Sequence, residues 1–252
     1  MWSRKELKDK AKAVLGEIYW SAFGISIVIA LATGSGWSSR NNSRSRNSEQ
    51  SLLHKIYNGD FVNWKLVTIV LFAAALLIAF RIFFGYFLEV GGRRFFIKSA
   101  QHVDNKKCFS FAFNEDNYMG ILKTMLLTNI FVFLWSLLFI VPGIIKSYSY
   151  SMVPYILADN PNIGAREAIS LSNKMTMGHK FDMFILDLSF LGWYILGAIA
   201  LGIGVLFVMP YENATDAELY LVLRKNALEA NLCAREDLLL DQSNLYENKN
   251  IW

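Results

Sequence analysis

The run from Trp64 to Leu88 is apolar except for Lys65 at its edge and Arg81 inside it. A hydrocarbon layer about 30 Å thick takes about 20 helical residues to cross, whereas a soluble core has no use for apolar runs longer than its own helices. Lipid offers no partner to a free backbone N–H or C=O, so such a run can be placed there only as a helix. Comparable runs occupy Tyr19 to Trp37, Ile121 to Val141 and Phe184 to Pro210. Composition agrees: 54% of the residues are hydrophobic and 18% charged, against about 45–50% and about 25% in a soluble domain. A purely soluble enzyme is therefore excluded, and the expected fold class is all-α, a polytopic transmembrane helix bundle.

Residues 1–18 open with Ser3 and, three positions on, Glu6, the capping-box spacing in which each side chain meets an orphan amide. Leu7, Ala11, Val14, Leu15 and Ile18 share one helical face, and Arg4, Lys5, Lys8, Lys10 and Lys12 fill the rest. That pattern predicts an amphipathic helix lying in a membrane interface rather than docked on a soluble core. Span one follows at 19–37, with aromatic residues at its ends. Residues 38–63, rich in Ser, Asn and Arg, are too polar to pack and read as a solvated connecting loop. Span two covers 64–90, and the polar stretch 91–118 carries Arg93, Arg94, Lys98, Lys106 and Lys107.

Span three, 121–141, is expected to stop at Pro142-Gly143. Residues 144–157 read as a short or re-entrant span, and 183–210 as a span broken near Gly202 and Gly204. A second amphipathic helix is expected over 214–232 and a polar tail over 233–252. Four clear spans with short and broken segments allow up to six crossings within one membrane domain, 1–232. Pro-Tyr recurs at Pro154-Tyr155 and Pro210-Tyr211 after a Gly-containing break, which suggests two related hairpin units.

Lys and Arg placement sets orientation. The basic N-terminus, the 91–118 stretch and Arg166, Lys174, Lys180, Arg224 and Lys225 belong on the cytoplasmic side. Both termini are then inside and 38–63 outside, with Lys146 the only basic residue of the second outer turn. The formal charge of +4 has no dense basic block, so nucleic acid is not an expected partner. The expected partners are the lipid bilayer and other membrane proteins or further copies of this chain. Cys108 and Cys233 lack CxxC spacing and His neighbours, so no metal site is expected. There is no HExxH, no GxSxG, no paired catalytic carboxylates and no phosphate-binding glycine loop. No catalytic residue and no cofactor is expected, and an enzyme is disfavoured.

Four motifs carry the chain's resemblance to known proteins: the opening MWSRKELKDKAK, SYSMVPYILADNP at 149–161, AISLSNKMTMGHK at 168–180, and LSFLGW with GIGVLFVMPY at 188–211. They resemble, over nearly the whole chain, a family of bacterial integral membrane proteins known as domain of unknown function 975. A weaker likeness, mainly in GAREAISLSNKMTMGH at 164–179, extends to the membrane domain of some glycerophosphodiester phosphodiesterases, whose catalytic domain this chain does not show. The resemblance implies a multi-pass protein of the bacterial cytoplasmic membrane without an assigned reaction. The expected function is a non-enzymatic, envelope-associated module, and the alternative is a small-solute or lipid transporter.

Charged residues inside apolar runs are costly unless paired or hydrated. Arg81 in span two and Asp187 near the start of the last span are the natural pair, either as a structural bridge or as part of a substrate pathway. Lys174, His179 and Lys180 form a basic helix terminus beside Gly178 that could meet a lipid headgroup, although a plain helix end explains the same residues. Pro142, Gly143, Gly202 and Gly204 are the expected helix breaks. Asn213 reads as a residue starting the last helix, and the tyrosines of YSYSMVPY as interfacial anchors.

Overall fold

The computed structural model describes residues 2–33, 64–199 and 204–238; the 38–63 loop, Gly202 and the tail from 239 onward lie outside the described residues. Those described are helical, with no strand among them. In chain order they form α1 (Arg4–Thr33), α2 (Trp64–Phe80), a π-turn (Arg81–Gly85), α3 (Tyr86–Ala100), the short α4 (Cys108–Ala112), α5 (Glu115–Leu138), α6 (Ile140–Tyr150), α7 (Val153–Asp159), α8 (Ala165–Met175), α9 (Lys180–Ile199) and α10 (Gly204–Glu229). Three helical stretches are long and apolar enough to cross a membrane: Arg4–Ala30, Val67–Ala100 and Glu115–Leu138.

The expected interfacial helix and span one are a single helix, α1, with a kink where Ile18 leaves helical geometry at φ −122°, ψ 18°. Ser3 caps it, its Oγ accepting from the Glu6 amide at 3.2 Å. The predicted apolar face is used, but against protein: Leu7, Ala11, Val14 and Leu15 are buried where α1 packs along α10. The α10 face that receives it is apolar and includes Ala214, Ala217 and Leu221. The second amphipathic helix expected at 214–232 likewise packs on protein. It is the continuation of α10 through Pro210, and its apolar residues enter the core.

Span two does not end at 90. The helix runs through the π-turn and on to Ala100, so Arg93, Arg94 and Lys98 are helical rather than part of a polar loop. Pro142-Gly143 does not stop span three either. The break is at Phe139, which is extended at φ −156°, ψ 146°, and Pro142 falls in the first turn of α6, where a missing N–H costs nothing. The 144–157 segment is divided by a turn at Ser151-Met152, with Pro154 opening α7. Of the two Pro-Tyr pairs, the first thus starts a helix and the second sits inside one.

Burial separates the molecule into two halves. In one, α2 stands clear, with Ile69, Val70, Leu71, Phe72, Leu76, Leu77, Ile78 and Phe80 all more than half exposed, and the facing ends of α5 and α6 are as bare, Leu137 at 74% and Ile140 at 77%. In the other, the first half of α1 and α3, α7, α8 and most of α10 enclose Phe87, Phe96, Ile156, Leu157 and Tyr220, each at most 1% exposed.

Candidate functional site: a buried polar seam between α3, α7 and α10

Inside the packed half, α3, α7 and α10 meet along polar side chains rather than apolar ones. Arg93 projects from α3, and its Nη1 donates to Tyr155 Oη at 2.8 Å and to Asn213 Oδ1 at 2.7 Å. Asp216, one turn beyond Asn213 on α10, lies 3.9 Å from the same nitrogen. The guanidinium also stands over the Tyr155 ring, 4.9 Å from its centroid. Asn213 in turn donates from Nδ2 to Ser26 Oγ of α1 at 3.0 Å, so four helices are tied to one arginine. Arg93 Nε is buried with no hydrogen-bond partner. Glu89, four residues earlier on α3, and Glu212, four before Asp216 on α10, add negative charge around the guanidinium.

Stacking of Tyr155 on Tyr220, with centroids 5.3 Å apart, joins this group to a second one. Asp159, the last residue of α7, accepts from Tyr220 Oη at 2.7 Å and from Arg224 Nη1 at 2.8 Å. Next to it, Arg94 donates to the Ala158 carbonyl. Nearer the bare half, Glu212 accepts from the Tyr194 hydroxyl, and Asp187 accepts from Tyr148 Oη at 2.7 Å. The acidic groups along the seam do not gather into a metal-holding cluster among the described residues.

Arg81 and Asp187 are not brought together. Arg81 lies in the π-turn, Asp187 turns to Tyr148, and no ion pair among the described residues joins them. Lys174, His179 and Lys180 flank the turn after α8, where Gly178 adopts φ +82°, the left-handed geometry glycine takes without strain. Lys180 Nζ donates to Asn173 at 3.3 Å and the His179 ring packs on Trp2, so two of the three already have protein partners. Lys146 is not in an outer turn; its ammonium sits over the rings of Trp135 and Tyr150. Gly143 lies within α6 near its start, whereas Gly204 is the first residue of α10, so the 183–210 run is broken between Ile199 and Gly204 as expected. Cys108 is buried and Cys233 half-buried, and both are free.

Sequence reasoning passed over Arg93, Tyr155, Asn213 and Asp216. Asn213 does not start a helix; it lies three residues past Pro210, inside α10, and faces the core. Tyr155 is a hydrogen-bonding member of the interior rather than a surface anchor, while Tyr148 is half-buried and bonds to Asp187. The signal that could have found them is spacing: Glu89 and Arg93 are four apart, as are Glu212 and Asp216, which puts each pair on one helical face.

Searches among curated proteins and among solved structures find no match. The family model matches residues 140–227, which hold Tyr148, Tyr155, Asp159, Asn213, Asp216 and Arg224 but not Arg93 or the opening MWSRKELKDKAK. Over that segment, though not over nearly the whole chain, the protein carries the signature of the family described as protein of unknown function (DUF975).

Proposed function

We propose that this chain is a multi-pass protein of the bacterial cytoplasmic membrane that acts as a non-enzymatic module, assembling with other envelope components or with further copies of itself. The observation that carries the reading is the Arg93 group: the central guanidinium is answered from α7 and α10 by Tyr155, Asn213 and Asp216, and Asn213 is answered from α1 by Ser26. Side chains used in this way lock helices together, and none is left presenting a nucleophile or a base to an open cleft. The topology that goes with it has six crossings: the second half of α1, α2 with the π-turn, α5, α6, α9, and the first part of α10. Both termini lie on the cytoplasmic side, and the packed half stands outside the hydrocarbon on that same side, in line with its Lys and Arg content.

A transporter for a small solute or lipid is the second reading, and one observation favours it: Glu89, Glu212 and Asp216 outnumber the one arginine they surround. Charge exchange separates the two. For a locking role, Arg93→Ala or Asp216→Ala alone lowers the amount of folded protein in the membrane, and Arg93→Asp with Asp216→Arg recovers part of it. Single mutants that accumulate at the wild-type level yet abolish uptake of a solute would sink the module reading and leave the transporter.

A further inference from the structure

A cavity of about 590 Å³ lies between α3, α4 and the start of α5, away from the polar seam. That volume is within the range of about 300–1,000 Å³ usual for small-ligand sites. Arg94 and Lys98, four apart on α3, line one wall, and Lys107, immediately before α4, lines another. The connection between them is held in place. His102 takes a left-handed φ of 55° after the end of α3, the Val103 amide donates back to the Lys98 carbonyl at 2.9 Å, and Asn105 donates to Ser99 Oγ at 2.9 Å. Lys107 is thereby returned toward the helix that carries Lys98.

The cavity is a cationic one. Among the described residues, no carboxylate is within ion-pair distance of Arg94, Lys98 or Lys107. Asp104 also lines it, one carboxylate against three cations, and its Oδ1 accepts from the Lys106 amide at 3.1 Å. Arg94 is pre-set: its guanidinium lies 3.6 Å from the Phe111 centroid and one Nη donates to the Ala158 carbonyl, which leaves the rest of the planar fork for an anion. Burial pushes the Cys108 thiol up, so the cavity's own sulfur stays neutral and does not compete as an anion.

Beside Ser110 and Asn114, the remaining wall carries the rings of Phe111 and Phe113. Phe113, 40% exposed, packs on Phe87 at 5.6 Å, Phe87 stacks on Tyr118 at 4.1 Å, and Tyr118 reaches the Phe83 carbonyl at 3.5 Å. Phe83, Phe84 and Met119 beyond it are half exposed and belong to the bare apolar half. Three cations at one end, and the exposed Phe113 with the half-exposed Phe83, Phe84 and Met119 of the apolar half at the other, match an amphiphile with an anionic head. We propose that this cavity binds the phosphate of an anionic lipid headgroup, with Lys98 and Lys107 as point charges, Arg94 as the orienting fork, and the acyl chains lying over Phe113 toward Phe84 and Met119. The shared chemistry, a phosphate group, could also come from free phosphate, which would have no use for the apolar end.

The test uses the full chain purified in a neutral detergent, with thermal unfolding followed by tryptophan fluorescence. The probes are short-chain phosphatidylglycerol, short-chain phosphatidylcholine and inorganic phosphate. Phosphatidylglycerol is expected to raise the Tm, to bind about tenfold or more tighter than phosphatidylcholine, and to lose that advantage in Lys98→Gln/Lys107→Gln, whose unliganded Tm stays at the wild-type value. Lys98→Arg/Lys107→Arg should keep it. If the double Gln variant does not fold, Lys107→Gln at its exposed position carries the same test with a smaller loss. Equal responses to the two lipids, or an unchanged response in the Gln variants, overturns the site. A full shift from inorganic phosphate alone overturns the lipid assignment in favour of a soluble anion.

Discussion

Asp159 is the residue on which the packed half turns. It receives two donors from α10 at once, and both its side chain and that of Arg224 are 10% exposed. Removing one partner of such a pair leaves a buried charge without compensation, so Arg224→Ala is expected to cost about 3–5 kcal/mol. Arg224→Lys, which keeps the charge but loses the fork, should fall between the two. The midpoint of chemical unfolding in detergent, followed by circular dichroism, checks the order. Glu218 gives the chain a pH dependence of known sign. Burial pushes its carboxyl from 4.5 up to about 7, and Lys10 only partly draws it back. Between those two values the folded chain holds a proton that the unfolded chain releases, so this residue's contribution to stability is lost as pH rises through that window and is flat above it. Glu218→Gln should remove that slope and be the more stable form above pH 7, by on the order of 3 kcal/mol. Thermal unfolding of both proteins at pH 5 and pH 8 reads it, and parallel profiles would show that Glu218 ionises freely.

At the scale of elements, two hairpins close on glycine. A Cβ at Gly143 would lie 2.6 Å from Ser136 Oγ, where α6 turns back along α5. One at Gly197 would lie 2.6 Å from the Gly204 carbonyl carbon and 2.7 Å from the Val205 amide nitrogen, where α10 turns back along α9. Those atoms are backbone and cannot move aside, so Gly197→Ala should part the hairpin at a cost of about 1–3 kcal/mol. Gly192→Ala, on the same helix with nothing within 4 Å of the added atom, is the matched control and should be neutral or mildly stabilising. Unfolding midpoints that fall together in both variants would remove the close approach as a cause. These elements were unevenly legible from the chain alone. The α1 face of Leu7, Ala11, Val14 and Leu15 could be read because helical spacing is local, and so could the turn after α8 at Gly178. Arg93 could not, because a window over 91–118 averages it with Arg94 and Lys98 into a polar stretch, while Tyr155 and Asn213, which answer it, are 62 and 120 residues away. Arg81 and Asp187 failed as a pair for a related reason: position within an apolar run gives depth, not the direction a side chain faces around its helix.

Taken whole, the molecule has a bare apolar half and a packed half whose surface holds Arg4, Lys5, Lys12, Lys107 and Lys225. The proposed topology places that charged surface in the cytoplasm and position 45 outside. Single cysteines at positions 45 and 236, with Cys108 and Cys233 replaced, separate the alternatives under an impermeant thiol reagent on intact cells. Position 45 should label and position 236 should not, and the opposite pattern would invert the topology.

The helix from Val67 to Ala100 is 34 residues long without a loop, which makes it about 50 Å of continuous rod. Among the described residues its first half makes few contacts, and its last turns carry Arg93, Arg94 and Lys98. Between the two, the rod is gripped where Tyr86, Phe87 and Val90 enter the core, just below the π-turn, whose wider hydrogen-bond spacing is the one irregularity along its length. Mechanically this is a lever with its fulcrum near the middle. In the proposed topology, lipid that tilts the bare arm, as a thinner or thicker bilayer does to any unpartnered helix, loads the contacts of Tyr86, Phe87 and Val90 and the π-turn beside them.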